Sequence, residues 1–358
     1  MGREPGMSDA RADGSYEEAM LESLPDALAA SLEVRDAWRE RLAAETAGLE
    51  FIVSDLAKWT PGQAVKVAFL DGDAALHAKI VEATAPITEV ANLTLDFGHD
   101  AATGEYRRWT TDDTEHAADI RVSFDQGGYW SRVGTDSNDP TVGVPGDVAG
   151  GRADQRSLNL GGFTNALPTR WAGTTRHEFL HALAFKHSHQ NMRGPCEAEF
   201  RWEDDPGYVP TTDPRGQFVA DTEGRSPGIY TYLAGPPNGW PRAKVDHNLR
   251  TKESPDVIAG PFDNKSIMLY AFAAFFYKTS PSPCAPTGNG IDLSDGDKRG
   301  LSLLYPHTAE ALDDRATRAD KALQDMLSRG NESTGGGSSA YRDRVVELLE
   351  AASRTGRP

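Results

Sequence analysis

Cysteine is nearly absent from this sequence, with two among 358 residues. That excludes a disulfide-dense scaffold or a cysteine-rich zinc module. It leaves Cys196 and Cys284 either joined to each other or present as free thiols. Long apolar runs are also missing, and no stretch approaches the roughly 20 residues of a membrane span. The opening residues Met1-Gly2-Arg3-Glu4-Pro5-Gly6-Met7 lack the basic-then-apolar pattern of a secretory signal. The literal expectation is a cytoplasmic protein, the alternative one secreted by another route. Basic charge is scarce: 37 Lys and Arg face 54 Asp and Glu, for a net charge of −17. This argues against nucleic acid and against anionic membrane surfaces as partners. Apolar content is low, 38% with a mean hydropathy of −0.53. A chain of this length can still bury one large core or two modest ones.

Against these absences stands one informative run, Arg176-His177-Glu178-Phe179-Leu180-His181-Ala182-Leu183-Ala184-Phe185-Lys186-His187. Two His at i and i+4 lie one above the other on a helix face, so both imidazoles can reach a single metal ion. The Glu between them lies beside that face, where it can hold a water. This is the spacing of a zinc hydrolase helix. Chance alone gives the five-residue motif in roughly one chain in fifty, so the third His carries much of the specificity. Zinc in a catalytic site takes three protein ligands and keeps one position open. His177, His181 and His187 supply three neutral nitrogens, and Glu178 is the candidate general base and acid. His187 is nearly three turns beyond His177, too far along a continuous helix to share the ion. The helix must therefore end near Ala184, with the chain turning back beneath the metal.

These residues resemble the metzincin pattern His-Glu-x-x-His-x-x-Gly-x-x-His, with Ala184 where that family has the turn-permitting Gly. A side chain in a left-handed conformation there costs about 1–2 kcal/mol. Ser266-Ile267-Met268-Leu269-Tyr270 resembles the Met-turn of the astacin-like branch, usually Ser-x-Met-His-Tyr, with Leu269 in place of the His. The resemblance extends to Ala118–Phe124 with Trp130–Thr135, to Gln155–Gly161 before the zinc helix, and to Leu293–Pro306 as a closing helix. It covers residues 62–307. It implies an α+β, metzincin-like zincin catalytic domain: a mixed twisted sheet, a zinc helix and an irregular C-terminal lobe. It also implies Zn2+ as cofactor, Met268 as an apolar floor under the zinc, and Tyr270 as a switchable ligand that stabilises the oxyanion. Taken alone, Met268 is a core methionine and Tyr270 a half-buried aromatic. His189 reads as a surface residue or a support behind the ligands. His77, His99, His116, His247 and His307 are scattered and read as ordinary.

Around this domain the pattern predicts helical extensions. Residues 1–60 form an N-terminal extension, disordered to about residue 14. Tyr16, Met20, Leu24 and Leu28 share a stripe, and Trp38, Leu42 and Leu49 suggest a second helix. The segment reads as a packing extension, with a pro-segment as the alternative. Astacin-like pro-segments carry a zinc-capping aspartate in a Phe-x-Gly-Asp context, which Phe69-Leu70-Asp71-Gly72-Asp73 superficially resembles. The reading preferred there is a strand over Ala64–Leu70 followed by a turn, with Asp71 or Asp73 capping the helix that contains Leu76, Ile80 and Val81. Further strands are expected at Leu93–Phe97, Ile120–Phe124 and 157–160, and the zinc helix at 171–184. The Gly- and Asp-rich stretch 134–154, with Asp136, Asp139 and Asp147, reads as a solvated loop, since its spacing fits no EF-hand. Residues 191–262 carry little regular structure apart from a short helix at 242–250. The tail 308–358 holds a helix to 329, a Gly/Ser linker at 331–339, and an amphipathic helix over 341–352. That last helix either docks a protein partner or packs back on its own domain.

The resulting expectation is a zinc metalloendopeptidase that acts on a peptide or protein substrate through Glu-assisted attack of zinc-bound water. The alternative is a non-catalytic zinc-binding scaffold or effector of the same fold.

Overall fold

The structure, a computed structural model, describes residues 21–45, 57–251, 260–328 and 339–354. The expected disorder at 1–14, the side chains of Tyr16, Met20, Leu42 and Leu49, and most of the 331–339 linker lie outside the residues whose placement is described.

Pro25 sets the start of helix α1, Asp26–Glu45. Leu28 of the first expected stripe and Trp38 of the second thus share one helix. Strand β1, Ala64–Phe69, turns Val65, Val67 and Phe69 inward. Its turn places Asp73 as N-cap of α2, Ala74–Thr88, where the side chain accepts from the Leu76 amide at 2.8 Å. Helix α2 buries Leu76, Ile80, Ala83 and Ile87, one stripe at helical spacing. Asp71 serves a different end and accepts from the Phe124 amide at 3.0 Å. Strands β2 (Thr94–Asp96), β3 (Ile120–Ser123), β4 (Tyr129–Ser131) and β5 (Leu158–Leu160) complete a sheet of order β2-β1-β3-β5-β4. All pairs are parallel except β4 with β5. The fold is α+β with a mostly parallel sheet, and β4 is an edge strand.

Helix α3, Trp171–Ala182, packs against this sheet and against α2. Phe179 and Leu180 enter the core beside Val122, Leu158 and Leu160. At Gly173 a Cβ would lie 2.0 Å from the Gly290 carbonyl oxygen, so only glycine allows that approach.

Beyond α3 the chain builds a second, lower core. It comprises the short helix α4 (Cys196–Glu199), the strand pair β6 (Thr211–Thr212) and β7 (Phe218–Val219), and helices α5 (Ile229–Ala234) and α6 (Arg242–Leu249). Phe200, Trp202, Ile229, Leu233, Trp240 and Phe276 pack there around a Cys196–Cys284 disulfide. Helix α7, Asp295–Leu304, opens with a capping box between Ser294 and Asp297 and returns to the upper core through Leu301. Helices α8 (Ala309–Ser328) and α9 (Ser339–Ser353) form a C-terminal hairpin. Val345 and Leu349 of α9 are buried against α8 and Trp38 of α1, so the amphipathic face packs back on its own chain.

The stretch 134–154 differs from the solvated loop expected. Asp136 and Asp139 are buried and engage Arg35 and Arg39 of α1. The fully buried Arg121 of β3 donates to the carbonyls of Gln155 at 2.7 Å and Gly150 at 3.2 Å. The loop's acidic groups thus neutralise guanidinium groups inside the protein. Among the described residues, no helix is long and apolar enough to cross a membrane.

Candidate metal centre

Helix α3 presents His177 and His181 one turn apart. His177 Nδ1 donates to the Ile267 carbonyl and His181 Nδ1 to the Phe185 carbonyl, each at 2.8 Å. These bonds hold both rings in the tautomer that turns an Nε2 lone pair outward. The helix ends at Ala182, and Ala184 then takes φ 71°, the one non-glycine residue with positive φ among those described. The Phe185 amide donates back to the Leu180 carbonyl at 2.9 Å, and Tyr305 Oη donates to the Leu183 carbonyl at 3.1 Å. This turn brings His187 Nε2 to 3.3 Å from His177 Nε2 and 3.0 Å from His181 Nε2.

Nitrogens around a tetrahedral zinc ion stand about 3.3 Å apart. Three imidazole lone pairs converging at this spacing repel one another unless a cation lies among them, and neutral nitrogen donors suit zinc. The residues present therefore fit a zinc ion. Among the described residues, no other group of three or more His, Cys, Asp or Glu side chains is so arranged.

Glu178 lies beside this cluster, 1% exposed, and its Oε2 has no hydrogen-bond partner. Burial, aided by the charge of Glu22, pushes its carboxyl well above the usual range. Tyr270 closes another side, its ring centroid 4.3 Å from that of His187. Burial and the nearby carboxylates also push its phenol well above its ordinary range.

The turn 266–270 is built from both cores. Met268 joins the upper core and Leu269 the lower one, which places Tyr270 at the centre between them. Asp297 of α7 holds this turn, accepting from Ser266 Oγ at 2.6 Å and from the Ile267 amide at 3.0 Å. Because the Ile267 carbonyl accepts from His177, the α7 cap supports a candidate ligand through two linked hydrogen bonds. His189 is buried rather than on the surface. It stacks on Tyr270 and on His187, and burial pushes it down to about 4, leaving a neutral ring behind the ligand.

Glu22 was not foreseen. Its Oε2 lies 3.0 Å from both His177 Nε2 and His187 Nε2, and its Oε1 lies 3.3 Å from His181 Nε2. Tyr270 Oη donates to it at 3.1 Å. Burial opposes its ionisation, but the imidazoles of His181, His187 and His177 around it outweigh that and hold the carboxyl well below its usual range. Glu22 thus occupies the fourth corner of the cluster, while Asp71 and Asp73 stay in the β1–α2 turn. The one hint in the sequence was the Leu24–Leu28 stripe just after it.

The non-helical segment just before α1 carries Glu22 to this position, and α1 anchors that segment. Leu24, Leu28 and Leu32 pack on Trp130, Val142 and Ala149 beside the edge strand. Ser31 Oγ accepts from the Gly143 amide at 2.8 Å. Arg35 grips Asp136 with two donors, one of them at 2.8 Å. On the lower side, the Leu21 amide donates to Asn238 Oδ1 at 2.9 Å. The segment therefore touches both walls of the cleft.

No family model matches the chain, and no curated protein matches it. Similar solved structures include myroilysin, at 24% identity and a TM-score of 0.48, covering 70% of this chain and 97% of that one. A second myroilysin structure aligns at 22% identity and a TM-score of 0.39, covering 70% and 86%. High choriolytic enzyme 1, a hatching enzyme zinc-protease from the medaka fish Oryzias latipes, aligns at 16% identity and a TM-score of 0.37, covering 69% and 92%.

Proposed function

We propose that this chain is a zinc-dependent endopeptidase whose centre is covered by its own segment around Glu22. The observation that carries the reading is the convergence of three Nε2 atoms beside a buried, unpartnered Glu178 carboxylate oxygen. His177, His181 and His187 would hold the zinc. When bound, zinc supplies a Lewis acid that polarises the scissile carbonyl and acidifies water.

The chain's own groups supply the rest. Once Glu22 has left, an extended peptide can lie along the edge strand β4. Glu178 takes the proton of the attacking water and returns it to the departing amide nitrogen. Tyr270 Oη, released from Glu22, donates to the developing oxyanion of the substrate. His189, a neutral ring stacked behind His187 and Tyr270, holds both in place. Peptide and protein substrates are the partners this chemistry requires. The Cys196–Cys284 disulfide supports an oxidising compartment, and so secretion rather than residence in the cytoplasm.

The test is zinc stoichiometry together with cleavage of an unfolded protein, for Glu22→Gln and for Glu22→Gln with Glu178→Gln. One zinc per chain in both, with chelator-sensitive cleavage only where Glu178 is intact, is the expected result. One zinc in both and cleavage in neither would replace the peptidase with the non-catalytic scaffold.

A further inference from the structure

The C-terminal hairpin has no part in the chemistry above, yet its apolar seam closes on α1, the helix that directly follows the Glu22 segment. Trp38 of α1 is 6% exposed and packs among Ala319, Leu323 and Met326 of α8 and Val345 and Leu349 of α9. Its ring lies 5.5 Å from that of Tyr341. Toward the catalytic domain the same hairpin turns the buried Arg315 of α8 and the half-buried Leu348 of α9. A cleft of about 210 Å³ lies between them, lined on the domain side by Trp59, Gln63, Thr135 and Asn138. Across it Arg344 Nη2 donates to Asn138 Oδ1 at 2.7 Å. The hairpin thus joins α1 to the domain.

We propose that the α8–α9 hairpin is a latch that holds α1, and with it Glu22, over the metal centre. The inference rests on the peptidase reading of that centre and names its regulation. Helix α1 places Trp38 about 18 Å along its axis from Asp26. Anchoring that end and the Leu28–Leu32 face together fixes the start of the helix at Asp26, four residues from Glu22. Without the hairpin, Trp38 would be an exposed indole, and the docked state would lose that apolar contact. Loss of a buried Trp corresponds to a factor of at least about 100 in the docking equilibrium. The closed state would then depend on the Leu contacts, the Arg35–Asp136 pair and Glu22 itself. Opening is therefore controlled from a surface remote from the cleft, at the junction of the two ends of the chain.

The test uses the full zinc-loaded chain with Trp38→Ala and, as a milder variant, Tyr341→Ala, beside wild type and Glu22→Gln. Two quantities are read: hydrogen exchange of the amides of residues 26–45, and the apparent Kd of a small hydroxamate that competes with Glu22 for the zinc. Because apparent Kd scales inversely with the open fraction, both latch variants should tighten hydroxamate binding toward the Glu22→Gln value. Trp38→Ala should show the larger shift, and α1 should exchange faster in both. Tight binding by Glu22→Gln, with wild-type Kd and a protected α1 in both latch variants, overturns the latch and leaves the peptidase reading intact. Faster α1 exchange in the latch variants, with no proteolysis by Glu22→Gln, retains the latch and removes the peptidase.

Discussion

Ala184 offers a sharp test of how this centre is built. It sits at φ 71°, a conformation that costs a residue with a Cβ about 1–2 kcal/mol. Ala184→Gly removes that strain. The change also widens the unfolded ensemble, at a cost of about 0.4–1 kcal/mol. The lost methyl is part-buried and close to Gly134, so its transfer contributes a further few tenths of a kcal/mol on area grounds. The balance is a stabilisation of about 0.5 kcal/mol. Ala184→Val has no such relief, because a branched side chain at this φ is a steric outlier. It should destabilise by about 1–2 kcal/mol beyond alanine and, by shifting His187, weaken zinc binding. The assay is guanidinium unfolding of both variants and wild type, in excess zinc and again after chelation, because metal affinity contributes to apparent stability. The order Gly, then Ala, then Val should hold in both conditions. A glycine variant less stable than wild type by 1 kcal/mol or more, or a valine variant equal to it, would refute the strain argument.

Three other outcomes follow from named contacts. Asp297→Asn, which loses one of the two carboxylate oxygens holding Ser266, Ile267 and Ser294, should cost about 2–4 kcal/mol. It should also lower zinc affinity about 10–100-fold by loosening the carbonyl partner of His177; unchanged affinity in a chelator competition would break that link. Replacing Cys196 and Cys284 with Ser removes a cross-link over a sequence separation of 88 residues and should cost about 2–5 kcal/mol in thermal unfolding. An unchanged midpoint would show that the lower core does not rely on it. Docking of α1 should depend on acid through Asp136, which faces Arg35 and Arg39 of α1, Arg132 just past β4, and the acidic Asp36 and Asp139. Burial raises its pKa, but the Arg35 guanidinium more than reverses this and holds it well below the carboxylate range. A depressed folded pKa contributes stability above the unfolded value near 4, and that stability is lost as pH falls through the folded value. The protection factors of the α1 amides should therefore be flat from pH 7 to about 4 and fall below; a fall already at neutral pH would point elsewhere.

Much of the centre could be read from local spacing. The i, i+4 histidines and the turn required at Ala184 each follow from one short segment and the geometry of a helix. The strands at Ala64 and Ile120 announced themselves by β-branched residues between turn signals. Long-range pairings were not legible. Glu22 is one acid in an acid-rich helical stretch, with no spacing that marks it. Asp136 and Asp139 looked solvated because their counter-ions, Arg35 and Arg39, lie about a hundred positions earlier in the chain. Tyr270 and Met268 carried a pattern, but the hydrogen bond from His177 to Ile267 that ties their turn to the zinc helix did not. The stripe on α9 was visible; its cover, Trp38 and α8, could be found only once the chain had folded.

The bond from His177 to Ile267 spans 90 residues, and Asp297, which steadies Ile267, is made later still. Glu22 precedes His177 by 155 residues. On a chain emerging from the ribosome, the covering carboxylate is therefore present long before the last support of the centre has been synthesised. The three imidazoles would be locked into place late in translation, at a site whose covering carboxylate is already waiting.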